Sequence, residues 1–206
     1  MDHRGIPLAG GNRREQILQT ALQLFARYGY KKTTVEDIAG ALGLTKGALY
    51  LYVKNKQDLF EKTAAWALGE WQQHVRDAAI EVSGPEQRLR AMALSAFEYL
   101  LGHDELLALI HADTDFYADL VVKEPFASIH RDSVAMMEGV LAEGVETGVF
   151  LPVDRAAVAD ALFSLYLGFI AQTRMSWPRE LLLSRYRTML DLMCAGLVAK
   201  SAKMEP

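Results

Sequence analysis

The sequence of 206 residues contains a single cysteine, only six prolines and no long apolar run. One cysteine cannot close a disulfide within the chain, which excludes a disulfide scaffold and favours a reducing compartment. Cys194 lies among apolar residues at helical spacing, which predicts a small buried side chain, with a redox sensor as the alternative. No apolar segment approaches the ~18 residues of a membrane-spanning helix, and the first residues do not resemble a secretion signal. These absences predict a cytoplasmic protein with no membrane partner.

The net charge of −4 is unevenly divided along the chain. Residues 1–62 contain ten Lys and Arg against six Asp and Glu, whereas residues 63–206 contain twelve against twenty. A basic segment followed by an acidic one restricts any attraction for phosphate to the N-terminal part of the chain. This asymmetry indicates where a nucleic acid would bind, but it does not by itself establish a function.

Apolar residues recur at helical spacing along nearly the whole chain, and no strand-like alternation interrupts them. The pattern predicts an all-α fold of about nine helices. Caps, glycines and prolines place these helices at about 13–28, 34–42, 45–52, 55–82, 85–102, 104–122, 124–147, 154–175 and 178–200. The sixth helix carries an expected interruption at 113–115. The second helix begins with a capping box, formed either by Thr33 with Glu36 or by Thr34 with Asp37.

Residues 33–60 have the pattern of a helix-turn-helix, TTVEDIAGALGLTKGALYLYVKNKQDLF. Two short helices are joined by a tight turn, for which Gly43 supplies the left-handed residue. The second short helix leaves Lys46, Tyr50 and Tyr52 outside the small core of the motif. The N-terminal turn of such a helix enters the major groove, where free amide groups favour phosphate. The segment therefore predicts a DNA-binding surface, against the alternative of a helical corner in an all-α enzyme.

The stretch 13–60 resembles the DNA-binding domain of the TetR family of bacterial regulators. The residues that carry this resemblance are Ile17-Leu18, Ala21, Leu24-Phe25, Gly29, Thr33-Thr34, Ile38-Ala39, the run from Gly43 to Tyr50, Lys56 and Asp58-Leu59. The resemblance implies that phosphates or the groove are contacted by Thr34, Thr45, Lys46, Tyr50, Tyr52 and Lys56. Gly47 would let the two backbones approach, and Ala48 offers a methyl group to thymine. The sequence departs from the family at Tyr52 and Val53, where histidine and phenylalanine are common.

The first residues predict a short disordered tail over 1–12. The resemblance implies a helix-turn-helix domain over 13–62 and a ligand-binding and dimerisation domain over 63–206. Family members dimerise through their last two helices, packed as a four-helix bundle. The apolar stripes predicted for this interface are Leu162, Leu165 and Phe169 with Tyr186, Met189, Leu190 and Met193. An internal core would show the same stripes.

A ligand pocket is expected within 97–177, where aromatic residues and methionines are frequent. The predicted lining residues are Phe97, Leu101, Phe116, Met137, Phe163, Tyr166 and Trp177. Each has the alternative interpretation of a plain core residue.

The spacing of the histidines matches no compact metal site, and no serine stands in a recognisable nucleophile context. We therefore expect no metal, no cofactor and no enzymatic activity.

Together these features predict a ligand-responsive repressor that binds a near-palindromic DNA operator as a homodimer. A small, mainly apolar effector would release it from DNA. Coupling is expected through the helix at 55–82, with Leu59 and Phe60 packed on the DNA-binding domain and Trp66 and Trp71 packed on the larger domain. The alternatives are a DNA-binding regulator without a small-molecule sensor (architectural or partner-recruiting), an activator of the same family, and an all-α enzyme or carrier.

Overall fold

The computed structural model of the protein describes residues 12–112, 124 and 126–199. These residues form nine helices and no strand, apart from one isolated antiparallel bridge between Phe150 and Val198. The predicted all-α fold is thereby confirmed. The helices are α1 (Arg13–Tyr28), α2 (Val35–Ala41), α3 (Lys46–Leu49), α4 (Lys56–Ile80), α5 (Pro85–Gly102), α6 (Asp104–Ala112), α7 (Phe126–Glu146), α8 (Arg155–Gln172) and α9 (Arg179–Leu197). The expected interruption at 113–115 and Phe116 lie outside the described residues.

The described residues group into two compact units. The head unit comprises residues 12–70, 103–112, 124 and 126, and the body unit comprises residues 71–102 and 127–199. Helix α4 contributes its first part to the head unit and its last part to the body unit.

The core of the head unit joins four helices around fully buried apolar side chains. Ile17 and Phe25 come from α1, Ile38 from α2, Leu49 from α3 and Leu59 from α4, and none is more than 1% exposed. Helices as short as α2 and α3 are not stable alone in water, so this shared burial is what holds them in the helical state.

The capping box of α2 uses Thr34 and Asp37, which decides between the two arrangements that the sequence allows. The Thr34 hydroxyl accepts from the Asp37 N–H at 3.1 Å, and the Asp37 carboxylate accepts from the Thr34 N–H at 2.8 Å. The hydrogen bond from the Thr34 hydroxyl is the main reason why the pKa of Asp37 lies below its ordinary value. Thr33 is instead buried, and its hydroxyl donates to the Leu24 carbonyl at 3.1 Å.

Helix α3 is shorter than predicted, because it ends at Leu49 rather than near Tyr52. The backbone continues in tight turns, with the Leu51 N–H donating to the Ala48 carbonyl and the Tyr52 N–H donating to the Leu49 carbonyl. Such i to i−3 bonds are common where a helix ends. The described ends of α4, α8 and α9 fall two or three residues before their predicted ends.

In the body unit, α5 packs against α8 and α9. The core formed there contains Leu89, Leu141, Phe150, Ala159, Leu162, Leu190, Cys194 and Leu197. Cys194 is fully buried, and this burial raises the pKa of its thiol. The prediction of a small buried side chain is confirmed, since a protonated, inaccessible thiol is unreactive.

The segment between α7 and α8 is fixed by a close contact between a glycine and an aromatic ring. The Phe150 N–H donates to the Gly144 carbonyl at 2.8 Å, and the Phe150 ring lies where a side chain at Gly144 would begin. The same segment pairs with the end of α9, since the Leu151 N–H donates to the Leu197 carbonyl at 2.8 Å. This contact therefore requires glycine at position 144.

Candidate nucleic-acid interface and effector cavity

The helix-turn-helix is built from short-range hydrogen bonds between α2 and α3. Gly43 adopts a φ of 65°, and the Leu44 N–H then donates to the Ala39 carbonyl at 2.8 Å. The Thr45 hydroxyl caps α3 by accepting from the Ala48 N–H at 3.2 Å. With Leu49 fully buried, the rotation of α3 about its axis is fixed. The opposite face of α3 is consequently presented to solvent.

The outward surface of α3 and the turn after it carries polar and aromatic side chains. Thr45, Lys46 and Gly47 are exposed, and Tyr50 and Tyr52 each expose 41% of their surface. Two solvent-exposed tyrosines close together in the sequence are suited to contacts with the phosphates and sugars of DNA.

Leu51, between the two tyrosines, is the most exposed large apolar side chain of the described chain, at 85%. Sequence reasoning missed it, because leucine at that spacing suggests core. Its signal was its position between two residues already expected to face outward. If α3 enters a groove of DNA, an exposed leucine beside it is suited to contact with a thymine methyl group.

Lys46 is already engaged by an acidic residue on the neighbouring helix. Its ammonium group forms an ion pair with Glu36 of α2 and lies 5.9 Å from the centre of the Tyr50 ring. The hydrogen bond between them lowers the pKa of the Glu36 carboxyl and raises the pKa of Lys46. Both side chains are exposed, so water and salt weaken this pair. Lys46 can therefore exchange Glu36 for a phosphate.

Lys56 begins α4 and is held in position by the segment after α1. Its ammonium group donates to the Lys31 carbonyl at 3.3 Å and lies 4.3 Å from the centre of the Tyr30 ring. The charge is thus fixed at the start of a helix, beside the backbone of a segment that itself contains Lys31 and Lys32.

The turn after α3 is tied to α4 by Lys62. Its ammonium group donates to the Tyr52 carbonyl at 3.0 Å and to the Asp58 carboxylate at 2.8 Å. Burial opposes ionisation of Asp58, but hydrogen bonds from Lys62 and from the Lys54 N–H hold its pKa below the ordinary value. Lys62 is a positioning residue that sequence reasoning missed, although its i,i+4 spacing from Asp58 was a visible signal.

The body unit contains an apolar cavity of about 50 Å³. It is lined by Trp71, Val75, Leu89, Met92, Ala93, Ala96, Ser133, Met136, Met137, Leu162, Phe163, Tyr166, Tyr186, Met189 and Leu190. No lining residue is charged. Four methionines surround a space much smaller than the several hundred Å³ of an ordinary ligand site, so a ligand must displace them to enter.

The polar groups at this cavity are mostly bonded to the chain itself. The Trp71 indole N–H and the Tyr166 hydroxyl both donate to the Ala96 carbonyl, at 3.0 and 3.3 Å. The Ser133 hydroxyl donates to the Ile129 carbonyl at 2.8 Å and accepts from the Gln72 amide at 2.8 Å. These bonds hold α4, α5, α7 and α8 around the cavity.

The model of the family described as bacterial regulatory proteins, tetR family, matches residues 17–63. This match runs from α1 through the helix-turn-helix into the first part of α4. The chain therefore contains the DNA-binding domain of the tetR family. It is accordingly a DNA-binding regulator of transcription, and the resemblance stated from residues 13–60 is confirmed.

Two relatives that match this chain over most of their length are transcriptional regulators. It is 29% identical to the transcriptional repressor KstR2 of Mycolicibacterium smegmatis, over 71% of each chain. It is 25% identical to YhgD, an uncharacterised HTH-type transcriptional regulator of Bacillus subtilis, over 82% of this chain and 86% of the relative.

Solved structures share this fold over most of the chain. The regulator FadR of Bacillus subtilis, in complex with stearoyl-CoA, has a TM-score of 0.70 at 19% identity and covers 88% of this chain and 98% of its own. The ketosteroid transcriptional regulator KstR2 of Mycobacterium tuberculosis has a TM-score of 0.65 at 23% identity, over 93% and 97%.

The residues predicted for a ligand pocket are dispersed in the structure. Met137, Phe163 and Tyr166 line the cavity. Phe97 and Leu101 are buried but do not line it, and Trp177 is 38% exposed. Nine of the twelve other lining residues come from α4, α5 and α9, and all nine lie outside the range 97–177 in which a pocket was expected.

The residues predicted for a dimer interface differ from one another in how far they are buried. Leu162, Tyr186 and Leu190 are buried within their own chain, whereas Leu165 is 41% exposed. Phe169, Met189 and Met193 are half-buried. At the three buried positions the apolar stripe forms part of the internal core. The interface itself stays a prediction.

One tryptophan of helix α4, Trp66, does not lie in the unit in which it was expected. Leu59 and Phe60 are buried in the head unit and Trp71 in the body unit, but Trp66 belongs to the head unit. There it is half-buried beside an open groove that Leu18 also lines. Its position along α4, five residues before Trp71, did not reveal this.

Among residues 12–112, 124 and 126–199, no three His, Cys, Asp or Glu side chains are grouped as a metal site would require. Within the same residues, no helix has the length and apolar character needed to cross a membrane.

Proposed function

We propose that this protein is a transcriptional repressor that binds a near-palindromic operator as a homodimer and leaves it when an effector occupies the body unit. The observation that carries the proposal is the outward face of α3 and its turn, where Tyr50, Leu51 and Tyr52 are exposed together. Burying so much aromatic and apolar surface within the chain would favour stability, so its exposure indicates a partner.

The residues of this surface have distinct proposed roles on DNA. Thr45 and Tyr50 would donate hydroxyl groups to phosphates, and Thr34 would do so by exchanging the Asp37 carboxylate for a phosphate. Lys46 and Lys56 would add charge. Gly47 allows a close approach of the backbone, because no side chain stands between α3 and the groove. Tyr52 would contact a phosphate, and Ala48 a thymine methyl group. The exposure of Thr34, Thr45, Lys46, Gly47, Tyr50 and Tyr52 supports these roles.

The outward faces of α8 and α9 support dimerisation. On α8, the exposed face consists of small side chains and one leucine: Ala161, Ser164, Leu165, Gly168 and Ala171. On α9, the exposed residues include Leu181, Ser184, Thr188, Leu192 and Gly196. Small residues let helices approach closely, and Leu192 is 71% exposed in the single chain. An isologous interface on these faces would bring two recognition helices to the two half-sites of a palindrome.

Release by an effector is the remaining part of the proposal. Two relatives support an effector with a large apolar part, since one is a ketosteroid transcriptional regulator and the structure of another is a complex with stearoyl-CoA. Helix α4 is continuous and supplies Leu59 to the head core and both Trp71 and Val75 to the cavity. A ligand that displaces these cavity side chains would act on α4, which is the proposed path of coupling.

The DNA-binding part is tested with DNA from immediately upstream of the protein's own gene, across a salt series. We expect salt-sensitive affinity that exceeds the affinity for unrelated DNA. Tyr50→Ala should weaken binding about tenfold or more, because a hydrogen bond to a charged group is lost in each subunit. Tyr28→Ala is the matched control, since Tyr28 is 49% exposed in the same unit but lies on α1. Equal losses in the two variants would contradict the proposed surface.

Dimerisation is tested by sedimentation of the variant Leu192→Glu. A charge in the centre of an apolar interface should convert the dimer to a monomer and should abolish tight operator binding. The control is Ile80→Glu, because Ile80 is 79% exposed but lies at the end of α4. An unchanged dimer in Leu192→Glu would show that the interface lies elsewhere.

A regulator without a small-molecule sensor is the second candidate, and the small volume of the cavity favours it. The two candidates differ in linkage: if a ligand weakens DNA binding by some factor, DNA must weaken ligand binding by that factor. Equal ligand affinity with and without operator would favour the second candidate.

A further inference from the structure

One buried polar group at the cavity has no partner in the described chain. Tyr186 is 3% exposed and lines the cavity, yet its hydroxyl forms no hydrogen bond with any residue of 12–112, 124 or 126–199. The three other polar side chains of the lining, Trp71, Ser133 and Tyr166, all donate to backbone carbonyls. Tyr186 is therefore the exception in a site where polar groups are otherwise satisfied.

Such an exception has a physical cost, because a buried hydroxyl without an acceptor loses its bonds to water and gains none in return. The surroundings of Tyr186 are aromatic, with the Phe97 ring centre at 4.5 Å and the Phe169 ring centre at 5.1 Å. Burial strongly raises the pKa of the Tyr186 phenol, so the group is a neutral hydrogen-bond donor at physiological pH. A neutral donor in an apolar wall is suited to an uncharged oxygen acceptor.

The lining also limits the charge of any ligand. It contains no Lys, Arg or His, so a carboxylate or phosphate inside the cavity would lose its hydration without gaining a counter-charge. Four methionines, Met92, Met136, Met137 and Met189, can rearrange around an apolar chain or ring because their side chains are unbranched.

We propose that the cavity takes a neutral, mainly apolar molecule with one oxygen acceptor, such as a ketone or an ester, which accepts a hydrogen bond from the Tyr186 hydroxyl. This inference rests on the proposed role of the body unit as an effector site and specifies its chemistry. Anionic groups of a ligand would have to remain outside the cavity.

The direct test is calorimetric titration of the full-length protein, without DNA, with 2-octanone and with octanoate. These probes have the same chain length and differ in the charge of the oxygen-bearing end. We expect 2-octanone to bind at least tenfold more tightly than octanoate. Tyr186→Phe should weaken 2-octanone binding about five- to tenfold, as the loss of one hydrogen bond implies. Tyr186→Phe binding 2-octanone unchanged, octanoate binding equally well, or no binding of 2-octanone would each overturn the inference.

A second measurement separates a ligand-binding role from a structural one. Without ligand, Tyr186→Phe should keep or raise the melting temperature, because it removes a hydroxyl that has no partner. Tyr166→Phe should lower it, because that hydroxyl donates to the Ala96 carbonyl. An equal or larger loss in Tyr186→Phe would overturn the inference, since the hydroxyl would then have a partner in the chain.

These measurements also distinguish this inference from the proposed function. If 2-octanone binds through Tyr186 but leaves operator affinity unchanged, release by an effector fails and the chemistry of the cavity stands. If octanoate instead binds tightly and releases the operator, the proposed function stands and the neutral-ligand inference fails.

Discussion

The two candidate sites of this molecule are built in opposite ways. The proposed DNA-binding surface of the head unit comes from one segment, residues 34–56, and most of its side chains are exposed. The cavity of the body unit comes from five helices whose lining residues range from Trp71 to Leu190, and most of them are buried. One site is assembled within a single segment, and the other only when distant parts of the chain meet.

This difference has a physical origin. The head surface is set by caps and one turn, in which Thr34, Gly43 and Thr45 bond to neighbours at most five residues away. The cavity is set by bonds such as that from Gln72 to Ser133, across 61 positions. Local bonds follow from residue type and spacing, whereas distant ones depend on how whole helices pack. The comparison predicts that variants in the two units should fail for different reasons.

The largest effect on stability is expected in the body unit, where the packing of distant side chains determines the structure. Gly144→Ala would place a methyl group inside the Phe150 ring and should reduce the free energy of unfolding by about 1–3 kcal/mol or more, as overpacked cores do. Chemical denaturation measures this loss. Gly139→Ala is the matched control, because it lies on the same helix with nothing within 4 Å of the new methyl group. It should be neutral or stabilising by about 0.5–1 kcal/mol. Similar losses in both variants would contradict the packing argument.

The next largest effect is expected in the head unit, where a variant tests whether capping hydrogen bonds stabilise α2. Thr34→Ala removes the hydroxyl that accepts from the Asp37 N–H and should destabilise the protein by about 1 kcal/mol. Thr34→Ser keeps a hydroxyl and should recover most of the loss in the same denaturation experiment. If Thr34→Ala is as stable as the unmodified protein, burial rather than capping holds α2.

A smaller effect concerns DNA affinity. Glu36→Gln removes the carboxylate that forms the ion pair with Lys46, and so removes one negative charge from the proposed DNA-binding surface. We expect operator binding to tighten about two- to fivefold at low salt, in line with exposed ion pairs, and the gain to shrink as salt is added. Fluorescence anisotropy measures both. Weaker binding in Glu36→Gln would mean that Glu36 positions Lys46 for its contact with DNA.

The smallest effect is the pH dependence of the α2 cap. The pKa of Asp37 is lowered in the folded protein, so its ionised form contributes stability above the ordinary carboxyl pKa of about 3.9. That contribution is lost as pH falls through the folded pKa. The difference in melting temperature between the unmodified protein and Asp37→Asn should therefore be constant from pH 7 to pH 5 and should narrow below pH 4. A constant difference down to pH 3 would exclude a contribution from the charge.

Much of the head unit could be predicted from the sequence, as particular residues illustrate. Thr45 capping α3, Gly43 in the turn and the exposure of Tyr50 and Tyr52 follow from residue types at fixed spacings. The exposure of Leu51 was missed, because a leucine at that spacing suggests a core position, although its place between Tyr50 and Tyr52 indicated the outward side.

The body unit was less predictable. Its helices were expected within a few residues, since periodicity and caps are local. The stripe with Leu162 and Leu165 on α8 and the stripe with Tyr186 on α9 were visible, but which of their members face the core depends on the rotation of the two helices. Periodicity gives that rotation only when one side of a helix is polar, and α8 is apolar or small around most of its circumference.

The sequence by itself therefore determined the all-α fold, the helix-turn-helix and the surface that it presents, because these depend on interactions over a few residues. Only the tertiary structure decided which side chains enclose the cavity, why Gly144 must remain glycine, and that the Tyr186 hydroxyl is buried without a partner. Those properties belong to contacts between residues far apart in the chain, and their energies are fixed only when the helices have packed.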